Sequence, residues 1–338
     1  VGFKVVHKYV KVVGGLISAK ADRKRLLTAL LSFVRENGYS LSMFNICDDQ
    51  LQLYRELGFQ VNKIGEDALV KLQDCTWSGK KFEWIRRQSN YVRRAEVVIS
   101  ELTADQSLDH CDKSLIAELR EVSNLHLAGK PQRKEMGLFV GQFLPGFMRR
   151  RRVFVARTDN GTGRIDGFII CTPGQAGRQW AMEMYRQRPD AVRGVIPALM
   201  HHAMQQMKAE GVDTASLCLI PALRCDERVD GDRATTRWAM VLFNRLLSSV
   251  YDTQGLYHYK SRFRPQFVNR YVCCYPKASM GGSMAFLWAL GILNVKPGHV
   301  FKNAIRHLRP SRWTIAKPVS GGGKAKAHRQ QSEHRKAA

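Results

Sequence analysis

Twice along this 338-residue chain, short apolar runs alternate with amphipathic ones, and that double alternation limits the fold more than any other feature. In the first round KVVGGLISA reads as a strand and DRKRLLTALLSFVRENG as a helix capped by Asp22 and stopped by Gly38. YSLSMFNI is strand-like, DDQLQLYRELG is a helix capped by Asp48 and ended by Gly58, and FQVNKIGEDALVKL is strand material again. Two more helical runs follow, KKFEWIRRQSNYVRRAE and SLIAELREVSNLHLAG. The second round opens on RRVFVART and GRIDGFIICTP, a hairpin around the Asn-Gly turn of DNGTG. RQWAMEMYR is the next strand, GVIPALMHHAMQQMKAEG a helix, TASLCLI a strand, ATTRWAMVLFNRLLSSVY a helix and RYVCCYP a closing strand. The expectation is an α/β protein of two mixed-sheet units, 1–130 and 131–317, the second carrying the active site. Residues 318–338 are rich in Gly, Lys and Gln without an apolar period, and read as a disordered basic tail.

Charge narrows the partner. Lys and Arg outnumber Asp and Glu by 54 to 29, a formal net charge of +25. Solubility needs far less, so the excess points to a polyanion: nucleic acid phosphates or an anionic lipid surface. Two clusters carry much of it. Lys80, Lys81, Arg86, Arg87, Arg93 and Arg94 recur through one helical run among Phe82, Trp84 and Tyr91. That mixture suits phosphate contacts with base stacking, or an interfacial seat. The tetrad of Arg149, Arg150, Arg151 and Arg152 precedes a strand and suits backbone phosphates or headgroups. A plain solvated face accounts for either cluster equally well.

The eight cysteines include no CxxC and no zinc-like Cys/His spacing, and adjacent Cys273 and Cys274 read as buried free thiols. A reducing compartment and no structural metal are therefore expected. No run reaches the roughly 20 apolar residues of a membrane span. MAFLWALGIL, Met284 to Leu293, is too short and reads as a buried or interfacial helix. A chain that starts at Val1 rather than Met leaves room for an upstream membrane segment.

Walker A, G-x-S-x-G, H-E-x-x-H and Rossmann glycine motifs are all missing. The hairpin, strand, helix, strand order of the second round suggests an acetyltransferase-like acyl transferase. Such folds hold the coenzyme A pyrophosphate in a Gly-rich turn at a helix N-terminus. Here the turn is RPDAVRGV with the single glycine Gly194, so that cradle and a coenzyme A cofactor are not expected.

FQVNKIGEDALVKL, SGKKFEWIRRQSNYVRR, EMGLFVGQF, WAMEMYRQRPDAVRGV and YHYKSRFRPQFVNRYV occur in this order along the chain. Together they resemble the C-terminal cytosolic domain of the phosphatidylglycerol lysyltransferases (multiple peptide resistance factors) and their alanyl counterparts. The resemblance covers Val1 to Pro276. It implies two fused acetyltransferase-like folds that move an aminoacyl group from aminoacyl-tRNA to a hydroxyl of an anionic lipid. It also implies a place at the cytoplasmic face of the bacterial membrane, often behind a membrane-embedded flippase domain.

On that resemblance Glu183 matches an acidic strand position, usually Asp, and Arg186 the Arg three residues on. Glu135 and Lys260 match two further charged positions. The chemistry wants such groups, because a carboxylate holds the free α-ammonium of an aminoacyl ester and a cation stabilises the developing oxyanion. Arg188, Asp190 and His258 are further substrate-binding candidates, with Arg86, Arg87, Arg93, Arg94, Arg149 and Arg150 for phosphates. A regular strand sends Glu183 and Arg186 to opposite faces, so one pocket requires a bend near Tyr185. Glu for Asp adds a methylene and leaves the amino acid open.

Blander readings stand beside these: a surface ion pair of Glu183 with Arg186, a solvated basic face around Lys260, and a helix-start charge at Glu135. His201 and His202 read as packing residues. The alternative functions are an N-acyltransferase using coenzyme A, an aminoacyl-tRNA enzyme with a non-lipid acceptor, and a non-catalytic module docking on membranes or RNA.

Overall fold

The computed structural model describes residues 3–102, 113–129, 143, 150–247 and 252–290. Ten strands form one mixed sheet. In chain order they are β1 (Phe3–Val6), β2 (Tyr9–Val13), β3 (Ser40–Ile46), β4 (Gln60–Lys71), β5 (Val98–Glu101), β6 (Arg152–Arg157), β7 (Ile165–Gly174), β8 (Gln179–Gln187), β9 (Thr214–Pro221) and β10 (Gln266–Tyr275). The spatial order is β1-β2-β3-β10-β4-β9-β8-β7-β6-β5. The helices are α1 (Arg23–Glu36), α2 (Leu51–Glu56), α3 (Glu83–Arg94), α4 (Lys113–Ala128), α5 (Val195–Ala209), α6 (Ala234–Leu247), α7 (Thr253–Ser261) and α8 (Met280–Leu290).

The mixed α/β class expected from the alternation holds, and the chain twice makes the same parallel crossover. β2, α1 and β3 form one and β8, α5 and β9 the other; all other neighbouring strands are antiparallel. The two rounds share one sheet. β10 from the end of the chain slots between β3 and β4, and β4 in turn pairs with β9. The expected boundary at residue 130 and the tail 318–338 lie outside the described residues.

Three apolar clusters fix the layers. Leu27, Leu31 and Val34 of α1 pack with Val10, Met43 and Tyr271 on one face of the first round. Ile85 and Val92 of α3, Leu199 and Met204 of α5 and Phe263 pack with Ile169, Met182 and Leu217. Leu119 and Val122 of α4 pack with Phe168, Ile170 and Met184 on the opposite face of β7 and β8. Met182 and Met184 are two residues apart yet bury on opposite faces, which alternation forbids unless the strand slips.

Local signals hold except at the two expected aspartate caps. Gly38 and Gly58 end their helices at φ +64° and +79°. Neither Asp22 nor Asp48 caps its helix through its side chain; 3₁₀ turns over Lys20–Asp22 and Asp48–Gln50 run into α1 and α2 instead, so both aspartates already lie in helical turns. Gly194 has φ +92°, and a Cβ there would lie 2.9 Å from the Gln88 carbonyl oxygen of α3. This glycine lets α3 close on the first turn of α5.

Candidate active site

The slip occurs at Glu183. Across β7, Cys171 pairs with Met182 and Ile170 with Met184, so Glu183 is the extra residue of a bulge. Its carboxylate accepts the Thr172 hydroxyl at 2.6 Å, and Arg151 stands 3.7 Å away. Thr172, Met184 and Arg186 share the α4 face, because Arg186 pairs with Phe168 of the α4-side core. The bulge therefore puts Glu183 on the same face as Arg186. The bend expected near Tyr185 lies two residues earlier.

β8 and β9 run parallel for three paired positions, ending at Ala181 with Ser216, and then separate. Cys218 bulges out of β9 with φ +68°, and its thiol reaches the Met182 carbonyl at 3.5 Å across the mouth of the gap. Lys260 enters from α7. Its Nζ donates to the carbonyls of Cys218 and Leu219 at 2.8 and 3.3 Å. Burial pushes this amine below the usual lysine range, with Cys218 and Asp67 working the other way. Burial pushes the Cys218 thiol up to about 12, so it stays protonated at neutral pH and is a poor nucleophile. Cys218 links the two sides: its thiol meets the Met182 carbonyl, next to Glu183 in sequence, and its carbonyl accepts Lys260, while Ser216 two residues before it holds Asp67.

Asp67 was not among the candidates read from sequence. It accepts Ser216 at 2.7 Å and the Arg270 guanidinium at 2.9 Å, all three buried. Its neighbour Glu66, also buried, accepts Lys63 and Arg224 at 2.8 Å each, and Lys63 reaches Glu227 at 2.6 Å. The readable signal was GEDALV, two adjacent carboxylates inside a strand-like run, which is costly to bury without partners.

The remaining candidates scatter. Arg188 is buried, donating to the Ile165 carbonyl at 2.9 Å and to Glu121 of α4 at 2.8 Å. Asp190 is exposed and accepts Arg164 at 2.8 Å; His258 is exposed, with its ring 5.8 Å from that of Tyr257. None of these three is tied to the Cys218 cluster by a described contact. The arginine tetrad also divides: Arg151 turns to Glu183, whereas Arg152 is locked by Glu101 and Glu210 at 2.6 Å each. Arg150 is exposed, and Glu135 and Arg149 lie outside the described residues.

Along α3, Glu83, Arg86, Arg87, Asn90, Tyr91 and Arg94 line an open groove of about 400 Å³. Arg86 is held at the groove edge by the Gly79 and Trp77 carbonyls at 2.7 and 3.3 Å, and Arg93 donates to Asn90 at 3.2 Å. His201 and His202 are packing residues, as read. His201 Nδ1 is 3.0 Å from Ser89 Oγ, and its ring meets Trp77 edge-on at 4.9 Å. No metal-binding group of His, Cys, Asp and Glu occurs among the described residues, and no helix there is long and apolar enough to cross a membrane.

The family model described as "Phosphatidylglycerol lysyltransferase, C-terminal" matches residues 2–274. The chain belongs to that family. The phosphatidylglycerol lysyltransferase of Bacillus subtilis (strain 168) is 24% identical over 288 residues, covering 83% of this chain and 32% of its own length. That of Staphylococcus aureus (strain MRSA252) is 24% identical over 261 residues, covering 77% and 30%. The chain thus spans about a third of these curated relatives. The fold of the family is shared with L-PGS from Bacillus licheniformis, at TM-score 0.70 and 22% identity over 86% of this chain and 85% of that one. The C-terminal domain of a putative lysylphosphatidylglycerol synthetase from Agrobacterium fabrum gives TM-score 0.69 and 21% identity over 84% and 83%.

Proposed function

We propose that this chain is the transferase domain of an enzyme that moves an aminoacyl group from aminoacyl-tRNA to a hydroxyl of an anionic lipid such as phosphatidylglycerol. The observation that carries the reading is the Glu183 bulge, which sets a carboxylate on the Arg186 face at the gap where buried Lys260 sits. Family membership and the net charge of +25 agree with it. Glu183 holds the α-ammonium of the aminoacyl ester by a charge-assisted hydrogen bond. The acceptor hydroxyl oxygen attacks the ester carbonyl, the bond to the tRNA ribose breaks, and the ribose oxygen takes the proton. Lys260 or Arg186 stabilises the oxyanion between these steps. One ester replaces another, so positioning supplies most of the rate and no enzyme-bound intermediate is required. Glu135 remains a second candidate for the ammonium.

The α3 groove receives phosphates of the tRNA acceptor end, with Arg193, seated 5.4 Å over the Tyr91 ring, adding a further cation beside it. No coenzyme or metal takes part in this scheme. The enzyme works at the cytoplasmic face of the membrane, and an upstream flippase domain is the partner proposed for the longer protein. The test is incubation with individually charged, labelled tRNAs and phosphatidylglycerol vesicles, followed by lipid extraction. Label in the lipid phase that vanishes on RNase pretreatment is the expected result. Turnover with acetyl-coenzyme A and none with any aminoacyl-tRNA would overturn the reading.

A further inference from the structure

On the first-round sheet face opposite α1 and α2, both α6 and α8 pack. Met240 of α6 and Phe286 of α8 pack into one small cluster with Phe44, Ile64, Val272 and Cys274, and Phe286 stacks on Phe44 with centroids 4.2 Å apart. Their outward sides are apolar. Trp238 and Leu242 of α6 are exposed at 65% and 55%, and Met280, Met284 and Trp288 of α8 at 87%, 50% and 57%. Each set repeats every four residues, one stripe per helix. A single exposed apolar residue needs no explanation, but two tryptophans in apolar stripes on two helices of one sheet face do.

The surroundings say what covers the stripes. Neither helix contains an acidic residue, and α8 contains no charge at all. Lys4 Nζ sits 5.5 Å above the Trp288 ring and exposed Lys277 lies just before α8, while the turn before α6 carries Asp230 and Asp232 beside exposed Arg233, with Asp232 neutralised by Arg237. Apolar stripes with interfacial tryptophans and a cationic border match a bilayer boundary, where rings enter the headgroup layer and lysines meet lipid phosphates. From these features we infer that the α6–α8 face seats the protein on an anionic bilayer, with Trp238, Met284 and Trp288 inserted. The face gives the lipid acceptor of the proposed reaction a physical source, and to that extent rests on that reading.

The test measures binding with no donor present, which separates it from transfer. The full chain is titrated with vesicles of phosphatidylcholine alone or with phosphatidylglycerol added, for wild type, Trp288→Ser/Met284→Ser and Trp238→Ser. Wild type binds the anionic vesicles, brominated acyl chains quench its tryptophan emission, and the double variant binds about tenfold more weakly or worse. That variant keeps its melting temperature, and it keeps full transfer to a short-chain phosphatidylglycerol dissolved as monomer. Equal vesicle affinity in wild type and double variant overturns the inference. So does concentration-dependent self-association that the double variant abolishes, which makes a second copy the occupant. Trp288 already shielded from iodide without vesicles overturns it too, because the chain's own residues then cover the face. Vesicle binding without transfer in any assay would leave this surface standing and remove only the proposed reaction.

Discussion

Thr172 donates its hydroxyl to the Glu183 carboxylate at 2.6 Å, across the one point of the β7–β8 ladder where Glu183 has no opposite residue. The bond and the bulge belong together. The slip releases Glu183 from the pleat, and Thr172 fixes where the freed side chain points. Both variants below follow from it.

Glu183→Gln should reduce aminoacyl transfer at least about a hundredfold while shifting the melting temperature by only a few degrees, because the carboxylate is partly exposed and amide replacement keeps its shape. Thr172→Val should cost less, about three- to tenfold, and mostly in kcat. Single-turnover transfer alongside thermal melts reads both. Wild-type activity in Glu183→Gln would remove the residue from the site.

The buried Asp67–Arg270 pair, 2.9 Å apart, should couple strongly in stability. Arg270→Met leaves a buried carboxylate unpaired and should cost about 3–5 kcal/mol, whereas Asp67→Leu/Arg270→Met together should recover most of it. Urea unfolding of the two single variants and the double variant gives the coupling directly. Additive losses would show that the two charges do not depend on each other.

Gly194→Ala meets two obstacles, a φ of +92° and the Gln88 carbonyl 2.9 Å from the new Cβ. The expected cost is about 1–3 kcal/mol, with α3 pushed away from α5. Gly38→Ala shares the positive φ but meets nothing within 4 Å, so it should cost less. Melting curves of the two variants compare the terms.

Two buried bases make stability depend on pH. Burial lowers His201 to about 4, so between that value and its unfolded pKa of about 6.5 the unfolded chain holds the extra proton. Stability from this group is full above about 6.5 and falls as pH drops toward 4. Lys11, held by Ser42 and pushed down to about 8 by burial, works higher: stability rises from about pH 8 toward the unfolded value near 10.4. Lys11→Met should therefore raise the urea midpoint at pH 7, with the advantage shrinking at pH 10. A midpoint difference independent of pH would show that Lys11 titrates alike folded and unfolded.

In the α3 groove the arginines should separate by role. Arg87→Ala and Arg94→Ala should weaken tRNA binding and each flatten the salt dependence by about one unit of log–log slope. Arg86→Ala should also lower stability, because Arg86 holds the Gly79 and Trp77 carbonyls. Fluorescence titrations across a salt series measure the slopes, and unchanged slopes would move the RNA elsewhere.

The sequence by itself determined most elements, since apolar period and turn chemistry are local properties of neighbouring residues. Gly38, Gly58 and the Asn-Gly turn of the β6–β7 hairpin stand where the residues say. It also determined the charge balance and the five ordered segments that point to the family. Some elements escaped it. β1, β5 and α7 were not foreseen; α8, read as a helix from Met284, starts at Met280 despite Gly281 and Gly282, with Gly281 close against Tyr9 and Phe286 stacked on Phe44.

Tertiary structure alone decided that β10 enters between β3 and β4, that Asp67 meets Arg270 across 203 residues, and that Glu183 shares a face with Arg186. Strand order and register are set by which distant residues bury together, and a slip of one residue reverses every side chain beyond it. No local pattern in WAMEMYRQ records that Met182 and Met184 will bury on opposite sides. The two cores that claim them exist only once the chain has closed.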